Sequence, residues 1–179
     1  TERAGWMLRT EEYLRALHGR GVPLLGICFG HQILAQALGG LVTRNPRGRE
    51  IGTVAVRRHC EKDALLVGLP DEFHANATHV DTVARLPPGA RVLASTSLEP
   101  TAAFAVGETT RGVQFHPEID GDVMRGYVRA RAHLLREEGL CADTIHRRVD
   151  DAPLGAEVLR NFFRHVAVRR SRRGYLRAV

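Results

Sequence analysis

Apolar residues recur at two different periods along this chain, and their succession predicts its elements. Near the N-terminus, helical spacing predicts a helix over residues 6–17, which the following glycines end. The short apolar run 22–27 is typical of a strand buried on both faces. A tight turn over 26–30 leads into a second amphipathic helix at 31–38. This succession of helix, strand, turn and helix indicates an α/β sheet.

The middle of the chain carries short stretches of strand character separated by turn residues. Six of them predict strands, at residues 51–58, 72–78, 82–86, 91–97, 101–107 and 111–116. Strands at this spacing imply hairpins, so we expect part of the sheet to be antiparallel or mixed. Two helices are predicted after them, over 120–138 and 154–168. No repeat or domain boundary interrupts the pattern, which favours a single domain over residues 1–179.

The composition is that of an ordinary globular protein, with 44% hydrophobic and 26% charged residues among 179. No apolar run approaches the roughly 18 residues of a membrane span, and no signal pattern opens the chain, so we expect a cytoplasmic protein without a membrane partner. The net charge is +6. The C-terminal arginines are interpreted as a solvated helix end rather than a nucleic-acid surface, because no binding-module signature accompanies them: Arg169, Arg170, Arg172, Arg173 and Arg177.

Three cysteines are too few and too widely spaced for a disulfide framework, and no CxxC pair suggests zinc. The histidines also lack metal-ligand spacing, so we predict neither a metal nor a cofactor. A lone cysteine is then either a small buried hydrophobe or a nucleophile. Cys60 and Cys141 lack a setting that would activate them and are interpreted as structural or incidental.

Cys28 lies in the segment Gly26-Ile27-Cys28-Phe29-Gly30, between the apolar strand and the helix. A sharp strand-to-helix turn is the setting of a nucleophile elbow, here with cysteine in place of serine. We expect Gly26 and Gly30 because side chains on either side of the nucleophile would crowd such a turn. The helix dipole favours a thiolate at this position, and the Phe29 N–H is free to bind a developing oxyanion. This setting favours a nucleophile over a buried core cysteine.

A cysteine nucleophile needs a base, and His116 is the best candidate. It ends an apolar strand and precedes Pro117, which holds it in an extended conformation. Side chains at i and i+2 of an extended chain point the same way, so the Glu118 carboxylate is predicted to lie near the His116 imidazole. A carboxylate in that place fixes the tautomer of the ring and stabilises its charged form.

These segments together resemble the class I, or triad-type, glutamine amidotransferases, and within them the GMP synthase amidotransferase domain and its stand-alone relatives. The resemblance is carried by residues 23–32 (PLLGICFGHQ) and 112–118 (GVQFHPE), and more weakly by 45–52 (NPRGREIG) and 78–83 (THVDTV). It covers residues 6–118 well. Thr78 stands where this branch usually has serine, a change that keeps the hydroxyl.

The resemblance implies a flavodoxin-like α/β fold with a mixed, mainly parallel central sheet flanked by helices. It also implies that Cys28 attacks glutamine to form a γ-glutamyl thioester, with His116 and Glu118 completing the catalytic machinery and Phe29 in the oxyanion hole. Gln32, Thr78 and His79 are expected near the bound glutamine. Ammonia would pass to a synthase partner, which we expect on another chain because no P-loop occurs here.

The family opens with strands and a glycine-bearing loop that precede the first helix of this chain. We therefore expect an N-terminally incomplete domain. Two alternatives stay open: a hydrolase of the same fold that acts on other γ-glutamyl compounds, such as peptides, and a non-catalytic interaction module. The sequence does not fix the oligomeric state or the acceptor of the ammonia.

Overall fold

A six-stranded sheet lies at the centre of the computed structural model, which describes residues 4–168. The helices are α1 (Gly5–Gly19), α2 (Phe29–Ala37), α3 (Gly121–Ala130), α4 (Ala132–Glu137), α5 (Ala142–Arg147) and α6 (Pro153–Asn161), which continues into a π-helical turn (Phe162–Ala167). The strands are β1 (Leu24–Ile27), β2 (Leu41–Arg44), β3 (Glu50–Arg58), β4 (Glu72–His79), β5 (Asp81–Arg85), β6 (Ala90–Ser95), β7 (Ala103–Val106) and β8 (Thr110–Val113).

The strands of the large sheet run in the order β1-β8-β7-β6-β3-β4, and β2 and β5 form a separate two-stranded sheet. The mixed α/β fold is therefore confirmed, but parallel pairing is limited. In the described part of the chain only β1 and β8 are parallel, while the other four pairings of the large sheet are antiparallel. The expectation of a mainly parallel sheet is corrected to this extent. Short turns such as 107–109 join neighbouring strands, and such turns allow only antiparallel neighbours.

All seven predicted strands and the first two predicted helices are present, with their ends shifted by a few residues. The pattern missed β2, which has four residues, and α5, which has six; both are too short to show a clear period. The helix predicted over 120–138 is two helices that meet at Arg131. The C-terminal arginines interpreted as a helix end lie outside the described residues.

Helices cover both faces of the sheet. Phe104 and Val106 of β7 pack beneath α2, whereas Ala103 and Ala105 belong to the core that α6 completes with Val158. This division follows the two-residue alternation of side chains along a strand. Among the described residues, no helix has the length and apolar character needed to cross a membrane.

A buried ion pair fixes β8 to the connection that follows β3. The Arg111 Nε donates to the Asp63 carboxylate at 2.9 Å, and the side chains of both are at most 4% exposed. Asp63 also accepts hydrogen bonds from the Leu65 N–H and from the largely exposed Arg91 guanidinium. The carboxylate thus neutralises a buried cation on the strand that leads to His116.

The turn between β1 and α2 is tight because backbone passes close to backbone at Gly26. A Cβ atom at Gly26 would lie 2.4 Å from the Gly30 carbonyl oxygen and 2.8 Å from the His31 nitrogen. The prediction for Gly26 is therefore supported on steric grounds. The same prediction for Gly30 is wrong, since a Cβ there meets no atom within 4 Å. Gly30 supplies the backbone that Gly26 must approach, and its own hydrogen points into open space.

We predict that Gly26→Ala destabilises the protein by about 1–3 kcal/mol, the usual cost of overpacking. The new Cβ would strike the Gly30 main chain, which cannot move aside as a flexible side chain could. Gly30→Ala is the matched control and should be neutral or stabilising by up to about 1 kcal/mol, since alanine favours the helix. Urea denaturation of the three proteins measures the difference. Equal stabilities for the two variants would contradict the steric argument.

We predict that Asp63→Ala lowers the free energy of unfolding by about 3–5 kcal/mol, because it leaves the Arg111 guanidinium buried without its counter-ion. Arg91→Ala removes an exposed partner of the same carboxylate and should cost about 0–1 kcal/mol. The two losses are compared by urea denaturation. If they are similar, burial of the Arg111 charge is not what makes Asp63 important.

Candidate active site

Cys28 and His116 are brought together by the parallel pairing of β1 with β8. Ile27 and Val113 are register partners at the ends of these strands, and the Cys28 N–H donates to the Val113 carbonyl at 2.9 Å. Because parallel neighbours end at the same edge of a sheet, the residues that follow them meet there. The two predicted catalytic residues, 88 positions apart (116 − 28), therefore share one site.

The Cys28 backbone is strained in the way that a nucleophile elbow requires. Its φ of 50° and ψ of −104° are unusual for a residue with a side chain, and such values occur at functional sites where the surrounding structure enforces them. Cys28 caps α2, so its sulfur lies at the positive end of the helix. The sulfur lies 3.8 Å from the Thr78 carbonyl oxygen on β4.

Phe29 is the first residue of α2, where main-chain N–H groups have no acceptor within the helix. This N–H is therefore available beside the sulfur. The Phe29 side chain is 46% exposed and packs against Trp6 with ring centroids 5.8 Å apart. The ring thus packs against α1 at the protein surface and takes no part in the core.

His116 and Glu118 lie on one side of the chain, as their spacing predicts. The His116 Nδ1 and the Glu118 Oε1 are 2.6 Å apart, a short hydrogen bond that fits a charged pair. Burial alone would lower the pKa of His116, but its interactions with Cys28 and Glu118 raise this pKa to about 9. Partial burial would raise the pKa of Glu118, yet the hydrogen bond with His116 holds it below its ordinary value.

The second ring nitrogen of His116, Nε2, is buried and makes no hydrogen bond of standard geometry with the described residues. Cys28 nevertheless lies close enough to raise the pKa of the ring. The contact between sulfur and nitrogen is thus looser than a standard hydrogen bond, which is common in active sites without bound substrate. The order of groups, sulfur then imidazole then carboxylate, is that of a catalytic triad.

The three residues expected near glutamine differ in what they offer to the site. Gln32, on the first turns of α2, donates through Nε2 to the Gln114 side chain and to the Asp81 carbonyl. Thr78 presents its carbonyl to Cys28. Gln32 is 8% exposed, so its amide is largely committed to the protein interior.

The His79 side chain is committed to the protein in the same way. Its Nδ1 contacts the Asp81 carbonyl and its Nε2 contacts the Glu50 carboxylate, both at 3.0 Å, and Glu50 is also bound by the Thr96 hydroxyl at 2.5 Å. His79 is 5% exposed. Any contact of His79 with a substrate therefore falls to its main chain. Two of the weaker motifs in the sequence, around Glu50 and His79, meet in this buried pair.

His31, which follows the elbow, packs into the core instead of lining the site. It is fully buried against Phe104, with ring centroids 4.7 Å apart. Burial lowers the pKa of His31 to about 3, so the ring is neutral at physiological pH. The ring packs α2 against β7 and has no exposed surface.

Asn76 is the residue at this site that the sequence did not single out. Its main-chain carbonyl accepts the His116 N–H at 2.7 Å in an isolated antiparallel bridge. It sits between two alanines on β4 and is 1% exposed. The sequence signal that could have found it is an amide between two alanines on a predicted strand, since such a group needs a hydrogen-bond partner when it is buried.

Comparison with known proteins agrees with the motifs at this site. The chain is 47% identical over 107 residues to GMP synthase [glutamine-hydrolyzing] of Parafrankia sp., an alignment that covers 58% of this chain and 19% of that protein. With the protein of the same description from Thermus thermophilus it shares 46% identity over 104 residues, covering 58% and 20%. The chain thus spans about a fifth of the length of these curated relatives.

A solved structure supports the fold over a longer range. A glutamine amidotransferase from Thermotoga maritima superposes with a TM-score of 0.76 at 23% identity, covering 90% of this chain and 69% of that one. At 23% identity this superposition shows a shared fold and does not by itself indicate a shared function. The family model of glutamine amidotransferase class-I matches residues 4–131, which include Cys28, His116 and Glu118. The chain therefore belongs to the class I glutamine amidotransferase family.

Proposed function

We propose that this protein hydrolyses the side-chain amide of glutamine to glutamate and ammonia through a thioester on Cys28. The observation that carries the proposal is the convergence of a strained cysteine at a helix N-terminus with a hydrogen-bonded histidine–glutamate pair. Each group has the chemistry that the reaction needs, and the elbow supplies the geometry. The family to which the chain belongs supports the choice of glutamine.

In the first half of the reaction the Cys28 thiolate attacks the amide carbon. A carbon–sulfur bond forms and the amide oxygen becomes an oxyanion, which the Phe29 N–H stabilises. The tetrahedral adduct then expels nitrogen. His116 holds the proton for this step, because its pKa of about 9 keeps the ring protonated at neutral pH, and it delivers that proton so that ammonia leaves. The thioester remains on Cys28.

In the second half a water molecule attacks the thioester carbon. His116, now neutral, takes one proton from the water, and the carbon–sulfur bond breaks to regenerate the thiolate and the imidazolium. Glutamate leaves as the acid product. Glu118 keeps the His116 ring oriented through both halves and stabilises its charged form, which is the role of the third member of a triad.

Glutamine is proposed to lie between the elbow and the end of β4. The main chain at Thr78 and His79 offers hydrogen-bonding groups there, and the Thr78 carbonyl already reaches the sulfur. Gln32 shapes the wall of this space from α2 through its hydrogen bonds to Asp81 and Gln114. This assignment gives the main chain the principal part in binding, because both side chains, Gln32 and His79, are engaged in the interior.

We further propose that the ammonia serves a synthase active site outside this region. The curated relatives are described as GMP synthases, and the alignments leave about four fifths of each relative outside the matched part. We place the synthase active site that uses the ammonia in the counterpart of those remaining parts. The synthase active site, and not this region, determines which acceptor receives the ammonia.

We predict that Cys28→Ala reduces release of glutamate from glutamine to the background rate, because no other group replaces the sulfur in forming the thioester. Cys60→Ala and Cys141→Ala are the matched controls and should keep the activity of the unchanged protein. Coupled enzymatic detection of glutamate measures all four. A glutamine analogue with an electrophile in place of the amide should label Cys28 alone, as seen by peptide mass spectrometry.

Equal turnover by the Cys28→Ala protein would remove Cys28 from the mechanism. Faster cleavage of γ-glutamyl peptides than of glutamine by the unchanged protein would instead favour the peptide hydrolase. If the unchanged protein neither turns over either substrate nor reacts with the analogue, the proposal of an active enzyme is wrong.

We predict that activity falls as pH rises through about 9, where His116 loses the proton that the leaving ammonia requires. Glu118→Gln keeps the shape of the side chain but removes its charge, so the pKa of His116 drops and the alkaline limb moves to lower pH. Asp122→Asn, an equivalent change on an exposed carboxylate paired with Arg125, should leave the limb in place. Profiles of kcat/KM against pH measure the limbs. An alkaline limb that stays fixed in the Glu118→Gln protein would exclude Glu118 as the partner of His116.

A further inference from the structure

Asn76 holds both ends of the short segment that carries His116 and Glu118. Its main-chain carbonyl accepts the His116 N–H at 2.7 Å. Its side-chain Nδ2 donates to the Ile119 carbonyl at 3.1 Å. One residue of β4 thus anchors the first and the last positions of the segment 116–119. Between these anchors Pro117 offers no N–H, and the Glu118 side chain is 44% exposed.

The Asn76 amide is itself fixed from the opposite side. Its Oδ1 accepts from the Thr53 hydroxyl at 2.8 Å, and its Nδ2 also donates to the Asp150 carbonyl at 3.2 Å. The Thr53 hydroxyl in turn accepts the Asp150 N–H at 2.8 Å. Two acceptors face the nitrogen and one donor faces the oxygen, so the network defines a single orientation of the amide. Strand β3, strand β4 and the connection before α6 all meet at this group.

We propose that Asn76 is a positioning residue for the His116–Glu118 pair, and that Thr53 holds the Asn76 amide in the orientation that this role requires. The proposal rests on the proposed function, since it assigns His116 and Glu118 to catalysis. Asn76 touches neither the sulfur nor any reacting atom in this arrangement. It acts by setting where the imidazole and the carboxylate stand relative to Cys28.

The effect of losing this anchor can be followed at His116 itself. The ionisable groups that act on its ring are Cys28, from the elbow, and Glu118, from its own segment. Strand β4 contributes two main-chain carbonyls nearby: that of Asn76 accepts the His116 main-chain N–H, and that of Thr78 faces the sulfur. Asn76→Ala keeps the main-chain bond to His116 but loses the side-chain bond to the Ile119 carbonyl. The Glu118 end of the segment then moves relative to the ring, and the short bond between His116 and Glu118 lengthens. The proton affinity of the ring then falls, independently of any turnover.

The test compares Asn76→Ala with Asn161→Ala. Asn161 is a matched control because it is also buried, at 3% exposure, and its Nδ2 also donates to two main-chain carbonyls, those of Leu65 and Val67. Both variants lose a buried amide with the same number of donated bonds, so their thermal stabilities should fall by similar amounts. Only Asn76→Ala should lower kcat, by about 10²-fold for a displacement on the order of 1 Å, with a smaller change in KM.

The decisive measurement is an NMR titration of His116 in protein labelled with 15N-histidine, its signal identified by its loss in His116→Gln. We expect the midpoint to move to lower pH in Asn76→Ala and to stay unchanged in Asn161→Ala. An unchanged midpoint in folded Asn76→Ala would overturn the proposal even if kcat falls. This readout does not need turnover. If the unchanged protein shows no turnover but the midpoint still moves in Asn76→Ala, the proposed function is refuted and the positioning role stands.

A second pair of variants applies if Asn76→Ala does not fold. Thr53→Val removes the hydroxyl that orients the amide and keeps the shape of the side chain, whereas Thr53→Ser keeps the hydroxyl. We expect Thr53→Val to lower the titration midpoint of His116, and Thr53→Ser to leave this midpoint as it is in the unchanged protein. Equal midpoints in the two Thr53 variants would overturn the part of the proposal that concerns Thr53.

Discussion

The parallel pairing of β1 with β8 is the constraint on which the site depends. It ends both strands at the same edge of the sheet, and the hydrogen bond from the Cys28 N–H to the Val113 carbonyl extends the ladder by one residue into the elbow. Every other pairing in the described part of the large sheet is antiparallel and is made by strands that follow one another more closely in the chain. Within the described part of this sheet, the pairing between the most distant segments of the chain is thus the one that assembles the chemistry.

Strand β4, at the opposite edge of the sheet from β1, also contributes to the site. Although β4 lies five places from β1, its end comes back to the elbow, where the Thr78 carbonyl meets the sulfur and the Asn76 carbonyl meets His116. The curl of the sheet explains how its two edges meet, since twist accumulates along a sheet of this size. The site therefore lies between strands that are remote within the ladder.

The electrostatics of the site follow from partial burial. His116 is shielded enough that contact with sulfur and carboxylate outweighs the loss of hydration, and its pKa rises. His31, only three residues beyond the nucleophile, is wholly buried without such partners, and its pKa falls. Two histidines beside one turn are thus driven to opposite charge states. The difference lies in the groups that face them and not in their place in the sequence.

The sequence was most informative where chemistry requires particular residues at fixed spacing. The elbow, the His116–Glu118 pair and the neighbouring strands could all be predicted, since glycine, proline and alternating apolar residues leave direct signals. It was less informative about partners that lie far apart in the chain. The contact of Glu50 with His79 and the hydrogen bonds of Asn76 with Thr53 and Asp150 depend on strand register, which no local pattern reveals.

Short elements escaped for a related reason. Strand β2 is held by its pairing with β5, and α5 packs against α3, so both owe their structure to tertiary contacts and not to a period of their own. Gly30 illustrates the opposite error. The pattern of glycines around Cys28 looked symmetrical, but only Gly26 faces a backbone atom. Steric demand at a turn depends on direction, which a one-dimensional motif does not carry.

The two carbonyls that β4 contributes, at Asn76 and Thr78, are separated by one residue and serve the imidazole and the sulfur respectively. Main-chain groups two residues apart in a strand face the same way. An insertion or deletion of a single residue between them would turn one carbonyl away from the site while the other stayed. Surface connections between strands tolerate such changes. Changes in chain length are therefore compatible with this site in the surface connections, but not within the three residues from Asn76 to Thr78.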